Sequence, residues 1–281
     1  MREIEASSVT EMVRQLLLEA NIEADPAVCA AIRNARGREA GALPLHVLDC
    51  LEKNLDAAGR SGLPICQDTG MAVVFVDMGV DAHLTGGYLQ EAVDKGVSEA
   101  YLDGKMRCSI VEDPLYHRKN TGNNTPALIH LRQVPGDRIC MTVAPKGFGS
   151  ENMSRIRMFT PAATEDDIVA FVRESVLVAG ANPCPPIIVG VGLGSDFEGV
   201  ALLAKRALTR PLGSHHAEAD YASLEDRLLA EINRLGIGPQ GFGGATTALA
   251  VHVEKAPTHI AGLPCAVNIC CHVYRHATGI L

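Results

Sequence analysis

The sequence predicts a mixed α/β fold, in which a mixed sheet is packed with helices and a helical segment comes first. Apolar residues recur at helical spacing through the first sixty positions, and Val-rich runs typical of buried strands alternate with helical patterns from residue 71 onward. With 281 residues, of which 47% are hydrophobic and 21% charged, the chain is long enough to bury a large core. We expect one domain over residues 1–281, with a helical subdomain at residues 1–62.

Local signals predict the first three helices. Ser8 and Glu11 have capping-box spacing, which predicts that a helix begins there. Asp25 followed by Pro26 predicts the start of a second helix, because proline is tolerated at the first helical position. A third helix is expected to end at Gly59. We expect this helical segment to pack on the sheet that follows it.

Strands and helices alternate in the rest of the chain. Strands are predicted at residues 71–78, 127–134, 138–144, 187–193, 246–253 and 266–273, and helices at residues 87–102, 196–210 and 222–235. Thr164, which precedes three acidic residues, predicts the cap of a further helix. Pro135, Gly136 and Asp137 predict an antiparallel hairpin, because they separate the strands predicted at 127–134 and 138–144.

Composition excludes several classes of function. The net charge of −8 and the pI near 5.7 argue against a nucleic-acid or anionic-membrane surface as the main partner. The N-terminus lacks the basic flank and apolar run of a signal peptide, and no apolar run is long enough to span a membrane. Nine cysteines are an odd number and too scattered for a disulfide scaffold. We therefore expect a cytoplasmic protein with reduced thiols, no nucleic-acid partner and no membrane partner.

Two glycine-bearing loops are candidates for binding an anion. Residues 190–195 (GVGLGS) lie between a predicted strand and helix, but Ser195 stands where a dinucleotide fingerprint has its third glycine. We therefore prefer tight packing of a helix on a strand as the role of these glycines. Residues 146–150 (KGFGS) combine the cation of Lys146 with flexible backbone and lack the spacing of a nucleotide P-loop. They suit a small anion such as a carboxylate, with a plain turn as the alternative.

Three cysteines lie in unusual surroundings. Cys66 lies in PICQDTG just before a strand, Cys184 lies among prolines in NPCPP, and Cys271 lies in CCHVYRH. Thiolates on rigid loops suit a metal or iron–sulfur site, but no CxxC pair occurs in the chain. From spacing alone, small core residues are the favoured interpretation of these cysteines.

Six short segments are specific when they occur together and in this order. They are ICQDTG at residues 65–70, NTGNNTPA at 120–127, APKGFGSEN at 144–152, NPCPP at 182–186, GPQGFGGATTAL at 238–249 and APTHIAGLP at 256–264. With them the chain, from about residue 10 to its end, resembles the iron–sulfur class of fumarases and the related tartrate dehydratases. The resemblance is to the alpha chain of the two-subunit form.

This resemblance implies one [4Fe–4S] cluster bound by Cys66, Cys184 and Cys271. The residues that follow favour Cys271 over its neighbour Cys270 as the third ligand. Three thiolates for four irons leave one iron without a protein ligand. Such an iron can act as a Lewis acid toward a substrate without changing its oxidation state.

The resemblance also implies a set of residues around the substrate. The expected residues are Asp68 and His259 as catalytic groups, and Gln67, Arg107, Lys146 and the Gly149 backbone as substrate-binding groups. An arginine fork suits a carboxylate because its donors are planar and always charged. The alternatives are a surface position for Arg107 and a structural, hydrogen-bonded role for His259.

The activity implied is reversible addition of water to a C=C bond between carboxylates, most simply fumarate to (S)-malate. Dehydration of L-tartrate is the alternative within this class, and a non-catalytic iron–sulfur binding or regulatory homologue is the alternative from another class. Single-chain members of the family continue into a C-terminal domain that supplies the base, whereas this chain ends at Leu281. A separate beta subunit is therefore implied, in an α2β2 assembly.

Overall fold

The computed structural model describes residues 1–281 and divides the chain into two compact units. Unit 1 comprises Met1–Ala24, Leu55–Phe148 and Arg275–Leu281, and unit 2 comprises Asp25–Asn54 and Gly149–Tyr274. The fold class is the mixed α/β class that the sequence predicts.

Helices and strands alternate along most of the chain. The helices are α1 (Ala6–Ile22), α2 (Pro26–Arg36), α3 (Ala42–Ser61), α4 (Leu89–Asp103), α5 (Phe148–Glu151), α6 (Glu165–Ala179), α7 (Phe197–Ala207) and α8 (Ala219–Asn233). The strands are β1 (Arg2–Glu5), β2 (Met71–Gly79), β3 (Ala82–Thr85), β4 (Leu128–Val134), β5 (Ile139–Lys146), β6 (Arg155–Phe159), β7 (Ile187–Ser195), β8 (Ala248–Thr258), β9 (Leu263–Cys270) and β10 (Ala277–Ile280). None of the helices combines the length and the hydropathy needed to cross a lipid bilayer.

The main sheet of unit 1 has the strand order β10-β5-β2-β4, with β2 parallel to β4 and antiparallel to β5. The predicted hairpin between β4 and β5 is therefore wrong, because β2 lies between them. The loop after β4 crosses the end of β2, where Val80 N–H donates to Val134 O at 2.9 Å and Asp81 N–H donates to Gly136 O at 2.9 Å. Gly79 permits this approach, since a Cβ there would lie 2.4 Å from Gly136 O.

Helix α1 packs on this sheet, as expected for the N-terminal helical segment. Val9, Val13 and Leu17 are fully buried and join α4 and the strands in one apolar cluster. The capping box predicted at Ser8 is wrong, because α1 begins at Ala6 and Ser8 lies inside the helix.

Unit 2 contains a sheet with the strand order β6-β9-β7-β8. Alternate residues of β7 pack against α6 and α8, while the glycines between them face α7. A Cβ at Gly190 would lie 2.1 Å from Ala204 O, and a Cβ at Gly192 would lie 2.2 Å from Val200 O. The interpretation of these glycines as close helix-on-strand packing is confirmed.

Two of the predicted helix starts are confirmed, and one helix end differs. Asp25 caps α2 by accepting from Ala27 N–H at 2.7 Å, with Pro26 as the first helical residue. Thr164 caps α6 in a capping box. Helix α3 passes through Gly59 and ends at Ser61. The single domain over residues 1–281 and the helical subdomain at residues 1–62 stay predictions. In the structure α1 belongs to unit 1 and α2 to unit 2.

Candidate active site

The segment with Cys66, Gln67 and Asp68 is an irregular loop between α3 and β2 in unit 1. The Asp68 carboxylate accepts Gly70 N–H at Oδ1 over 3.1 Å and Phe148 N–H at Oδ2 over 2.9 Å. The Cys66 Sγ lies 3.5 Å from Gln67 Oε1. The Asp68 side chain is thereby oriented by two backbone donors, one of which belongs to the loop predicted to bind an anion.

Buried polar groups fix the carbonyls at the end of this loop. The phenol of Tyr101 is fully buried and lies 2.8 Å from both the Thr69 and the Gly70 carbonyl oxygens. Burial raises the pKa of this phenol well above its ordinary range, so it stays a donor. Asn124, also fully buried, donates to Gly70 O at 3.1 Å and accepts Ser109 N–H at 2.7 Å. These contacts fix the backbone just after Asp68.

Arg275, in the C-terminal segment of unit 1, reaches the same loop. Its Nη2 donates to Asp68 O at 2.8 Å, and its Nη1 donates to Asn21 Oδ1 at 2.8 Å. The side chains of Arg275 and Asp68 both flank Gly147, whose added Cβ would lie 3.5 Å from the former and 3.1 Å from the latter. A cation and a carboxylate are therefore neighbours around one glycine.

The two predicted cationic substrate ligands of unit 1 differ in exposure. Arg107 is exposed, and its backbone carbonyl accepts the Thr69 hydroxyl at 3.0 Å. This bond links the Arg107 segment to the Asp68 loop. Lys146 is the last residue of β5 and is only 6% exposed. Both roles in substrate binding stay predictions.

In unit 2, the loops of Cys184 and Cys271 are joined by one histidine. His272 Nδ1 lies 3.0 Å from Cys184 O, and because a carbonyl only accepts, the ring proton is assigned to Nδ1. Gln240 Nε2 donates to Pro185 O at 2.7 Å and lies 3.3 Å from His272 Nδ1. The structure therefore brings these two candidate ligand loops together.

The remaining predicted residues of unit 2 are Gly149 and His259, both exposed. Gly149 lies in the short helix α5, where an added Cβ would make an ordinary contact, 3.5 Å from Asn182 O. His259 follows β8, and its Nδ1 accepts Ala261 N–H at 3.1 Å. The proton of the neutral His259 ring is thus assigned to Nε2.

The nine cysteines differ in burial and in the elements that carry them. None of the nine forms a disulfide. Cys66, Cys184 and Cys271 lie on irregular segments and are at least partly exposed. Burial raises the pKa of the Cys265 thiol to about 12 and also raises that of Cys108, which opposes the thiolate form a ligand needs. No group of three or more Cys, His, Asp or Glu side chains is arranged to hold a metal ion.

Several residues that contact the candidate loops within each unit were not predicted from the sequence. Asn124 and Gln240 lie inside segments that carry the family resemblance, so that resemblance could have indicated them, and His272 and Arg275 lie in CCHVYRH with the candidate ligand Cys271. Asn21 lies in the first helix and has no motif around it. It enters the site only because α1 packs beside the loop, with Ile65 N–H donating to Asn21 O at 2.8 Å.

Comparisons with known proteins agree with the resemblance. The family model described as fumarate hydratase (Fumerase) matches residues 10–280. The putative L(+)-tartrate dehydratase subunit alpha of Methanocaldococcus jannaschii is 35% identical over 274 residues, which cover 96% of each chain. The L(+)-tartrate dehydratase subunit alpha of Escherichia coli K12 is 31% identical over 274 residues, covering 97% of this chain and 90% of that one.

A mixed α/β enzyme of the hydro-lyase class accounts for these matches and for the acid-bearing loop in unit 1. The chain belongs to the fumarate hydratase and tartrate dehydratase family.

Proposed function

We propose that the chain is the alpha subunit of a cytoplasmic [4Fe–4S] hydro-lyase that interconverts fumarate and (S)-malate by reversible hydration. The observation that carries the proposal is the match of nearly the whole chain to the fumarate hydratase model. The Asp68 loop adds to it, because an oriented carboxylate beside a buried arginine is suited to acid–base work on a diacid.

Cys66, Cys184 and Cys271 are the proposed ligands of the cluster. Their chemistry fits, since each thiol lies on an irregular, partly exposed segment and none is in a disulfide. When bound, the cluster supplies a Lewis acid that polarises the hydroxyl and a carboxylate of the substrate.

The other proposed roles belong to groups of this chain. Arg107 binds one substrate carboxylate with its guanidinium fork, and Gln67, Lys146 and the Gly149 backbone complete the diacid site. Asp68 and His259 share a proton, which the histidine carries at Nε2 because its Nδ1 is engaged by Ala261 N–H.

The base that removes the proton from carbon is assigned to a separate beta subunit in an α2β2 assembly. The support is that the relatives from M. jannaschii and E. coli are named subunit alpha and that this chain covers 96% and 90% of their lengths. The isolated chain is therefore expected to bind a diacid without efficient turnover, since positioned proton transfer contributes roughly 10²–10⁴ in rate.

L-tartrate is the second candidate substrate. It is favoured by one observation, which is that both of these relatives are named L(+)-tartrate dehydratase subunits. The two reactions share the diacid frame and differ in one hydroxyl, so a change in a few contacts can exchange one substrate for the other.

The decisive experiment assays the co-expressed pair of subunits without oxygen against fumarate, (S)-malate and each tartrate stereoisomer. Turnover of fumarate supports the first candidate, and turnover of L-tartrate alone supports the second. Absence of any hydration or dehydration, in protein that contains a full cluster, would contradict both.

The proposed ligands are tested separately by iron and sulfide analysis after anaerobic reconstitution. Cys66→Ser, Cys184→Ser and Cys271→Ser should each lose the cluster. Cys50→Ser, on the exposed face of α3, is the matched control and should retain it. Cys270→Ser decides between the adjacent cysteines, and its loss of the cluster would contradict the assignment to Cys271.

A further inference from the structure

Arg275 is a buried cation whose partners are both neutral. The side chain is only 7% exposed, and its two terminal nitrogens donate to the Asn21 amide oxygen and to the Asp68 carbonyl oxygen, each at 2.8 Å. A guanidinium is costly to bury unless its donors are satisfied. The Asp68 carboxylate, which lies around the same face of Gly147 as the guanidinium, is the nearby negative charge.

We propose that Arg275 is a positioning residue, which fixes the loop with Cys66 and Asp68 by bonding its backbone to the buried Asn21. The proposal rests on the proposed function for the role of that loop. It assigns to the C-terminal segment of this chain a part in the acid–base site.

Asn21 makes the connection rigid because it contacts the loop at a second point. It is fully buried, its side-chain Nδ2 donates to Leu17 O at 3.1 Å within α1, and its backbone carbonyl accepts Ile65 N–H at 2.8 Å. The loop is thus attached to α1 at residue 65 directly and at residue 68 through Arg275. Tyr101 attaches the following two carbonyls to α4.

The geometry requires an arginine at this position. The two acceptors are reached by different nitrogens of one planar group, whose donor directions are fixed. A lysine keeps the charge but gathers its three donors on one nitrogen at the end of a flexible stem, so it does not hold the two acceptors in the fixed geometry of the guanidinium. Arg275→Lys therefore separates the loss of positioning from the loss of charge.

The first test uses the chain alone, without a cluster and fully reduced. The rate of Cys66 alkylation by iodoacetamide is measured by peptide mass spectrometry, together with amide exchange of residues 65–70. In Arg275→Lys we expect both to rise about 10-fold, because a loop opens more often when its anchors are lost. Alkylation of Cys50, on α3, should not change.

The second test uses the reconstituted enzyme with its partner subunit. Arg275→Lys should lower kcat by roughly 10–100-fold, because a displacement of Asp68 by about 1 Å misaligns it. KM and iron content should stay within about threefold, since the groups proposed to bind the diacid and the cluster are retained. Arg234→Lys, an exposed arginine at the end of α8, is the matched control.

Tyr101→Phe provides a second route if Arg275→Lys folds poorly. It keeps the buried ring, removes only the hydroxyl from the Thr69 and Gly70 carbonyls, and should also accelerate Cys66 alkylation. Parent rates at Cys66 in both variants, or equal acceleration at Cys66 and Cys50, would overturn the proposal. The labelling test needs no turnover, so failure of the proposed hydratase activity is recognised independently in the parent enzyme.

Discussion

Gly190→Ala tests whether the glycines of β7 serve close packing and not phosphate binding. The added Cβ would lie 2.1 Å from Ala204 O and 2.9 Å from Leu208 Cγ, both on the side of α7. Ordinary contact begins near 3.4 Å, so the helix would have to retreat by about 1 Å. Since Ala204 is fully buried against the sheet, this movement opens the core on that face.

Overpacking of this kind costs about 1–3 kcal/mol. For a domain of this size the loss corresponds to a decrease of roughly 2–12 °C in Tm. The assay is thermal and urea unfolding of the reduced chain without a cluster, followed by circular dichroism. A glycine loop that bound phosphate would instead lose nucleotide affinity with little change in stability.

Gly59→Ala is the matched control for this substitution. Gly59 lies inside α3, and an added Cβ there would meet no atom within 4 Å. We expect it to stabilise the chain by about 0.4–1 kcal/mol, because alanine has the higher helix propensity and restricts the unfolded chain. A Gly190→Ala chain as stable as the parent would refute the packing argument.

Three further predictions concern the titration of buried tyrosines, the charge of Arg107 and the helix cap at Thr164. Burial raises the pKa of Tyr101 and Tyr274 above the ordinary value of 10, so the folded chain keeps these protons where the unfolded chain loses them. The contribution of these protonated phenols to the stability of the folded chain is complete below pH 10 and is lost as pH rises through the raised pKa. Above pH 10 the unfolding free energy therefore falls with pH, and Tyr101→Phe should make this decrease less steep by up to about 1.4 kcal/mol per pH unit. Arg107→Ala should lower kcat/KM by a factor that corresponds to about 2–4 kcal/mol of transition-state stabilisation, with unchanged iron content. A similar loss in the surface variant Arg60→Ala would contradict a specific carboxylate contact of Arg107. Thr164→Ala should destabilise the chain to heat by about 1 kcal/mol, Thr164→Ser should not, and equal Tm values would exclude the cap as a stabilising feature.

Local signals predicted the elements whose chemistry is contained within a few residues. Asp25 and Thr164 each cap a helix by binding a backbone N–H two or three residues ahead, so their effect can be read directly from the sequence. The Val-rich β2 and the glycine-bearing β7 were predicted in the same way, because buried strands have recognisable compositions.

Strand pairing could not be predicted from local signals. The residues between β4 and β5 have good turn chemistry, and Gly136 adopts a φ of 107°. Yet the partner of both strands is β2, which ends at Gly79, 57 positions before Gly136, and pairs with β5 from Met71 to Met78. A turn indicates where the chain reverses but not which strand fills the space between the two arms.

In the candidate site too, local segments could be predicted from the sequence, but contacts between distant residues could not. The segment ICQDTG, through its resemblance to the family, indicates Cys66 and Asp68, whereas the contact of Asp68 with Arg275 joins residues 207 positions apart. Asn21 and Arg275 are 254 positions apart, and neither has a sequence signal that names the other. Such contacts follow from the packing of α1 and the C-terminal segment within unit 1.

Some of the residues with a strained backbone lie in the same loops, and this observation does not depend on family resemblance. Non-glycine residues with a positive φ are Lys105, Arg118, Asn124, Cys184, Ser195, Gln240 and Tyr274. The left-handed conformation costs an L-residue about 1–2 kcal/mol and persists where surrounding contacts determine it. Asn124 is fixed by Gly70 and Ser109, and Gln240 by the Pro185 carbonyl.

In unit 2, Cys184 and Tyr274 both have a positive φ. Cys184 has a φ of 55° between two buried prolines, so its thiol projects from a backbone that the neighbouring residues cannot relax. Tyr274 has a φ of 46°, its N–H donates to Cys271 O at 3.2 Å, and its buried hydroxyl donates to Arg210 O at 2.6 Å. A core cysteine needs no such backbone, because any extended or helical conformation can bury a thiol. A strained backbone at Cys184, and another three residues after Cys271, is compatible with the rigid loops that the proposed ligation needs.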